Sequence, residues 1–96
     1  MNNDWMWAYY FITKPDREIA DLTETVNENP ESADAYFRRG LAYFRQKKYY
    51  NALEDFKGAL RLDPRNRNID TYVKHVKKLY EAELTLLTAE TGVIYL

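Results

Sequence analysis

The side chains that could do chemistry are scattered carboxylates, one serine, one histidine and a small group of lysines. Acid–base catalysis needs a carboxyl group on an apolar face beside a polar partner, and none of the carboxylates is predicted to have that placement. Ser32 precedes a helical pattern and serves as an N-cap, while His75 lies among lysines on an exposed face. With no cysteine and a single histidine, the usual zinc ligand sets are absent. The sequence therefore predicts no catalytic residue, no metal site, no cofactor and no small-molecule substrate.

Lysines are clustered in the last third of the chain, where Lys74, Lys77 and Lys78 surround His75. Such a patch could bind RNA or phosphate, although a run of charges is more often a solvated helix face. Charge also varies along the chain. Residues 1–30 carry two basic and six acidic side chains, and residues 31–80 carry twelve basic and six acidic ones. Residues 81–96 carry three acidic side chains and no lysine or arginine. A basic middle between acidic ends could promote head-to-tail association or attract an acidic partner.

Length and composition limit the classes of protein that fit. A chain of 96 residues with 46% hydrophobic and 30% charged residues is typical of one small globular domain. The net charge of −1 argues against a strongly basic nucleic-acid binder. The apolar run at residues 5–12 is much shorter than the ~20 residues that cross a bilayer, and the sequence before it lacks the features of a signal peptide. We therefore expect a soluble, cytoplasmic protein without membrane contact.

An internal repeat is visible in the middle of the chain. Pro30 and Pro64 are 34 positions apart, follow Asn29 and Asp63, and each comes after a helical stripe of apolar residues. Between them, the pattern predicts a first helix over 33–46 and a second over 50–62, joined by a turn at 47–49. Gly40 costs about 1 kcal/mol inside a helix relative to alanine. We expect that cost to be offset by close approach of the second helix, at its small residues Ala52 and Ala59.

Residues 33–66 resemble a tetratricopeptide repeat (TPR), a unit made of two antiparallel helices. The resemblance is carried by Tyr36, Gly40, Tyr43, Ala52, Phe56, Ala59 and Pro64, together with an aromatic residue at the turn, Tyr49. Arg39 and Lys47 depart from the family, which usually has leucine and often glycine at these places.

The resemblance implies an all-α fold of about five helices, with antiparallel hairpins stacked as a short right-handed superhelix. On this interpretation the chain is one domain with four parts. Residues 1–32 form a degenerate repeat, with helices at about 3–12 and from Pro15 onward. Residues 33–66 form the well-matched repeat, residues 67–91 a capping helix, and residues 92–96 a tail. The capping helix has one apolar stripe, made of Ile69, Val73, Val76, Tyr80, Leu84 and Leu87.

The resemblance also implies a peptide-binding groove lined by the first helix of each hairpin. Carried onto this repeat, the groove residues are Asp34, Phe37, Leu41, Phe44 and Arg45. Family members that grip the terminal carboxylate of a chaperone have lysine and asparagine where this chain has Phe37 and Leu41, so that ligand is not expected. An apolar or amphipathic segment fits this face better. Alternatively, the N-terminal aromatic residues or the tail at 93–96 cover the same face.

The resulting prediction is a non-catalytic protein-interaction or scaffold module that binds an apolar or amphipathic peptide through this helix face. One alternative is a self-associating structural adaptor that uses the face as its homo-oligomer interface. A further alternative, with less support, is RNA or phosphate binding by the basic helix patch. The step from fold to function rests on fold analogy.

Overall fold

Over the residues that the structure describes, the protein is an all-α stack of four helices. A computed structural model describes the backbone of residues 4–91 and the side chains of residues 16–87. The helices are α1 (Asp4–Glu28), α2 (Ala33–Arg45), α3 (Tyr49–Leu62) and α4 (Arg67–Thr91), and no strand occurs within these residues. Each helix packs mainly on the next one along the chain. The predicted helical hairpin is thus confirmed as α2 and α3.

The core is centred on α3, which lies between α2 and α4. Phe56 and Val76 are the largest fully buried side chains, and they form one cluster with Ala52 and Leu53. The ring centroid of Phe56 lies 5.5 Å from that of Phe37 on α2 and 5.2 Å from that of Tyr72 on α4. A single phenylalanine therefore joins three helices through ring packing.

Gly40 allows α2 and α3 to come close, as predicted. A Cβ atom at Gly40 would lie 2.7 Å from two ring carbons of Phe56, a distance that real Cβ contacts do not show. The neighbour that needs the space is this aromatic ring, whereas the sequence had indicated Ala52 and Ala59. Both alanines are fully buried on α3. The two alanines pack in the core, but the side chain closest to Gly40 is that of Phe56.

The turns before α2 and α4 have the same hydrogen bonds, at positions separated by one repeat length. Asn29 N–H donates to the Thr25 carbonyl and Asp63 N–H to the Ala59 carbonyl, both at 3.0 Å. Three positions later, Ser32 N–H donates to the Asn29 carbonyl at 3.0 Å, and Asn66 N–H to the Asp63 carbonyl at 3.1 Å. The sequence indicated this recurrence by the placement of Pro30 and Pro64 directly after Asn29 and Asp63.

Both turns also end in a side-chain cap. The Ser32 hydroxyl accepts a hydrogen bond from Ala35 N–H at 3.2 Å, which confirms the predicted N-cap of α2. The Asn66 side-chain oxygen accepts hydrogen bonds from the backbone N–H groups of Asn68 and Ile69, each at 3.1 Å. Ser32 and Asn66 therefore satisfy free N–H groups at two helix starts that occupy equivalent positions of the repeat.

The N-terminal part differs from the prediction, because α1 is one helix over Asp4–Glu28 where two helices were expected. Residues 4–91 therefore contain four helices and not about five. Pro15 lies inside α1. A proline removes one backbone hydrogen bond but does not reverse the chain by itself, and α1 continues through it.

The helix predicted over 67–91 is observed as α4, but its apolar stripe is buried only in its first half. Ile69 and Val76 are 4% and 0% exposed, whereas Leu84 and Leu87 are 45% and 59% exposed. The reason is length: α4 has 25 residues and α3 only 14, so the last part of α4 extends past the start of α3. The predicted tail at 92–96 lies outside the described residues.

Candidate functional site

The five predicted groove residues all lie on α2, but they do not form one open surface. Phe37 is half-buried, and its ring centroid lies 5.3 Å from that of Tyr72 in an edge-on arrangement. Together with its contact to Phe56, this makes Phe37 a part of the core between α2 and α4. The cover on this residue therefore includes α4. Cover by the N-terminal aromatic residues or by the tail at 93–96 stays a prediction.

Leu41 and Phe44 lie farther along α2 and are half-buried against the same core cluster. The ring centroid of Phe44 lies 6.0 Å from that of Tyr49 on α3 and 6.1 Å from that of His75 on α4. This part of the face is a shallow apolar surface between α2 and α4, with one edge formed by an exposed histidine.

Asp34 and Arg45 mark the two ends of the face, and both are exposed. The Asp34 carboxylate pairs with Arg38 Nε at 2.8 Å, one helical turn along α2. Arg45 pairs with Glu18 of α1. Exposed pairs of this kind contribute at most about 1 kcal/mol, so a partner could replace either one at low cost.

A depression of about 250 Å³ lies at the Asp34 end of the face, where α2 and α4 begin. It is lined by Ala33, Asp34, Phe37, Asp63, Asn66, Asn68 and Ile69. Asp63 accepts a hydrogen bond from the Asn66 side-chain amide at 3.0 Å, so its carboxylate belongs to the turn before α4. Within the described part of the chain, no group of three or more His, Cys, Asp or Glu side chains could hold a metal ion.

The basic patch predicted on α4 is exposed at Lys74, His75, Lys77 and Lys78. Lys74 Nζ pairs with the Asp70 carboxylate at 3.1 Å along the same helix. His75 was expected to be exposed and is so, although its ring also borders Phe44. RNA or phosphate binding by this patch stays a prediction, since these contacts indicate a solvated helix face equally well.

A buried ion pair between α2 and α3 is the polar feature that the sequence did not predict. Arg39 binds Asp55 with two hydrogen bonds of 2.7 Å, from Nε and Nη2, and Asp55 is only 5% exposed. Arg39 Nη1 also donates to the Thr23 hydroxyl on α1 at 3.4 Å. The hydrogen bond to Asp55 raises the pKa of Arg39 above its usual value, while burial acts in the opposite direction. The arginine that departs from the family pattern therefore joins three helices.

The geometry of residues 33–66 is that of a helical hairpin with a glycine-to-aromatic crossing, and it is bounded by two turns with the same hydrogen bonds. The same residues match the family model described as "Tetratricopeptide repeat". Residues 33–66 form a tetratricopeptide repeat. Units of this family stack side by side and present surfaces to other proteins, which makes this repeat a protein-interaction or scaffold unit.

Three proteins from different organisms are similar to this chain. The chain is 38% identical over 64 residues to neutrophil cytosol factor 2 of Mus musculus, covering 66% of this chain and 12% of that protein. It is 29% identical over 77 residues to a DnaJ homolog subfamily C member 7 homolog of Dictyostelium discoideum, covering 80% and 14%. It is 35% identical over 65 residues to bacteriophage adsorption protein A of Escherichia coli (strain K12), covering 67% and 6%.

The chain thus matches only a small part of each of these proteins. No solved structure matches the chain at a significant level. Among the described residues, no helix is both long enough and apolar enough to cross a membrane.

Proposed function

We propose that the chain is a non-catalytic interaction module that binds an amphipathic segment of a partner protein through the face of α2. The face comprises Asp34, Phe37, Leu41, Phe44 and Arg45. The observation that carries this proposal is the placement of Phe44, which stays half-exposed between Tyr49 and His75 at the junction of three helices. An aromatic ring held in this way offers apolar area at low entropic cost to a partner.

The charges around this ring indicate which segment would bind. Arg45 is exposed at the same end of the face, and the exposed His75 forms its edge. Residues 31–80 as a whole carry twelve basic and six acidic side chains. A segment with apolar residues at helical spacing and flanking carboxylates would satisfy both the ring and the cations.

Phe37 has a supporting role in this proposal. Its ring is held against Phe56 and Tyr72, so it sets the distance between α2 and α4 and does not itself offer much contact area. Leu41 lies between Phe37 and Phe44 along α2 and supplies the apolar floor. The exposed contact area is thus concentrated at the Phe44 and Arg45 end of α2.

The proposal can be tested with peptides selected from a random phage-displayed library on the full chain. We expect the selected sequences to be amphipathic and acidic, and the dissociation constant to rise at least about tenfold in Phe44→Asp and Arg45→Glu. Tyr50→Asp is the matched control, because Tyr50 is an aromatic residue of α3 that is 55% exposed and whose ring packs on Tyr80 of α4, which is not one of the face residues. Calorimetric titration gives the constants, and a thermal melt of each variant checks that it is folded.

Two results would contradict the proposal. One is equal peptide affinity for the wild type, Phe44→Asp and Arg45→Glu when all three are folded. The other is a Phe44→Asp variant that has a lower molar mass in solution than the wild-type protein but binds the peptide equally well. That result would assign the face to a homo-oligomer contact.

A further inference from the structure

The recurrence of the capped turn assigns a type to each helix of the stack. In the repeat, α2 is the first helix and α3 the second. The capped turn before α2 recurs before α4, so α4 stands where the first helix of a following hairpin would stand. By the same offset, the end of α1 corresponds to the end of α3, since Asn29 and Asp63 close both helices in the same way. Among residues 4–91, α1 is thus a second helix and α4 a first helix, each without its hairpin partner.

The faces that would meet those partners are accessible on both helices. On α3, the residues that face α2 are Ala52, Asp55, Phe56 and Ala59, and all four are buried. Their counterparts on α1, one repeat length earlier, are half-buried or exposed: Glu18, Asp21, Leu22 and Thr25. On α2, the residues that face α3 include Gly40 and Tyr43, whose counterparts on α4 are the exposed Lys74 and Lys77.

The two accessible faces have opposite charge. The α1 face carries Glu18 and Asp21, and the α4 face carries Lys74 and Lys77. The α1 face also offers the half-buried Leu22 between these two carboxylates and Thr25. One face is therefore acidic and the other basic, so each is a suitable partner for the other.

The pairing rule within the repeat gives the register of such a contact. Arg39 faces Asp55 and Gly40 faces Phe56 in an antiparallel hairpin, so facing residue numbers add to about 95. α4 corresponds to α2 one repeat length later, and α1 corresponds to α3 one repeat length earlier. Facing residues of α4 and α1 therefore have numbers with the same sum. The register then places Lys74 opposite Asp21 and Lys77 opposite Glu18.

The same register also brings the helix ends together. α1 and α4 both have 25 residues, and the rule pairs the start of α4 at Arg67 with the end of α1 at Glu28. The far end of α4, which contains the exposed Leu86, then lies along the first half of α1. That half of α1 contains the apolar sequence at residues 5–12.

We propose that α4 of one copy of this chain binds α1 of a second copy in the manner of a repeat hairpin. Copies then stack head to tail and continue the alternation of first and second helices across each junction. This surface differs from the α2 face of the proposed peptide site, and the two adjoin at the pair between Glu18 and Arg45. Because the two contacting patches differ, the interface is heterologous, and assembly continues past the dimer unless a ring closes.

Sedimentation and light scattering of the full chain at low salt, from about 1 µM to about 1 mM, test the proposal. We expect the weight-average mass to rise steadily past that of a dimer and to fall when salt is added. Lys74→Glu and Asp21→Lys should each weaken association at least about tenfold, because each puts like charges opposite one another. An equimolar mixture of the two variants should associate again, because Glu at 74 then meets Lys at 21 and the unchanged faces meet each other.

Lys57→Glu is the matched control, since it makes the same charge change at an exposed residue of α3, which takes no part in this contact, and it should associate like the wild type. Circular dichroism and melts of the dilute variants show that they are folded, and the mixture test holds even if one variant is less stable. A wild type that stays monomeric at every concentration would overturn the proposal. Equal loss of association in Lys74→Glu and Lys57→Glu, or a mixture that does not recover, would also overturn it. None of these results depends on the peptide-binding face.

Discussion

Lys47, in the turn between α2 and α3, has a backbone conformation that lysine disfavours. Its φ is 60°, the one positive value among the non-glycine residues that the structure describes. Lys47 N–H donates to the Phe44 carbonyl and Lys48 N–H to the Tyr43 carbonyl, both at 3.0 Å. These two bonds form a Schellman motif, which usually has glycine at this position. The departure from the family pattern noted at Lys47 is thus a site of local strain.

Replacing Lys47 with glycine should stabilise the fold. In the left-handed region a side chain costs roughly 1–2 kcal/mol, and part of this is offset by the flexibility that glycine adds to the unfolded chain. We therefore expect Lys47→Gly to raise the free energy of unfolding by about 1 kcal/mol in urea titrations. Lys48→Gly is the matched control: φ there is −88°, so glycine should give no gain. Equal effects of the two changes would show that the φ of Lys47 carries no cost.

At the scale of helices, the two side-chain caps should contribute similarly to stability. Ser32→Ala and Asn66→Ala each remove one acceptor from a helix start, which costs about 1 kcal/mol. We expect each variant to lose this amount in thermal or urea unfolding. Glu31→Ala and Arg65→Ala, at exposed neighbours of the caps, should change stability by less than about 0.5 kcal/mol. A loss for Ser32→Ala alone would mean that the turn before α4 is held by its other hydrogen bonds.

The helices were predictable where local signals agree. The bounds of α2 and α3 were expected within one residue, because an apolar stripe and a following turn define each helix and a side-chain cap also marks the start of α2. The prediction of two helices in residues 1–32 was wrong, because residues 4–28 form one helix through Pro15, which had been taken as the start of a second one. The cap at Asn66 could have been predicted, because an asparagine stands directly before a helical pattern there. Its equivalence to Ser32 was missed because the residue pattern of the repeat does not continue after residue 66.

At the scale of the molecule, the long outer helices make the shape extended. The radius of gyration is 16.8 Å, whereas a compact domain of this length has about 12–13 Å. The dimensions of 57 × 41 × 19 Å describe a thin layer of helices. In such a layer few side chains can touch more than two helices. Those that do should have a large effect on the stability of the whole fold.

Arg39 is one of those residues, and a double-mutant cycle with Asp55 measures its contribution. Arg39→Leu leaves the buried Asp55 carboxylate without its cation, and we expect a loss of about 3–5 kcal/mol in the free energy of unfolding. The double variant Arg39→Leu, Asp55→Leu should recover most of this loss, because an apolar pair can replace a buried ion pair. The outcome against this view is a double variant no more stable than Arg39→Leu. Arg38→Leu is the control, since Arg38 pairs on the surface with Asp34.

The candidate site was predictable in part. Its five residues were assigned to one helix from the resemblance, and they do lie on α2. The sequence could not show that α4 would pack on Phe37, since that contact is made by Tyr72, which is distant along the chain. Nor could it pair Arg39 with Asp55, because either residue alone looks like an ordinary surface charge. Contacts between helices depend on packing angles that local patterns do not encode.

The matching turns at Asn29–Ser32 and Asp63–Asn66 have one more consequence. Because both turns make the same bonds and both end in a cap, a duplicate of residues 33–66 could be inserted after Asn66 with the same local geometry on either side of it. Evolution by tandem duplication needs such interchangeable joints. The length of this architecture can therefore change in whole units while each joint stays intact.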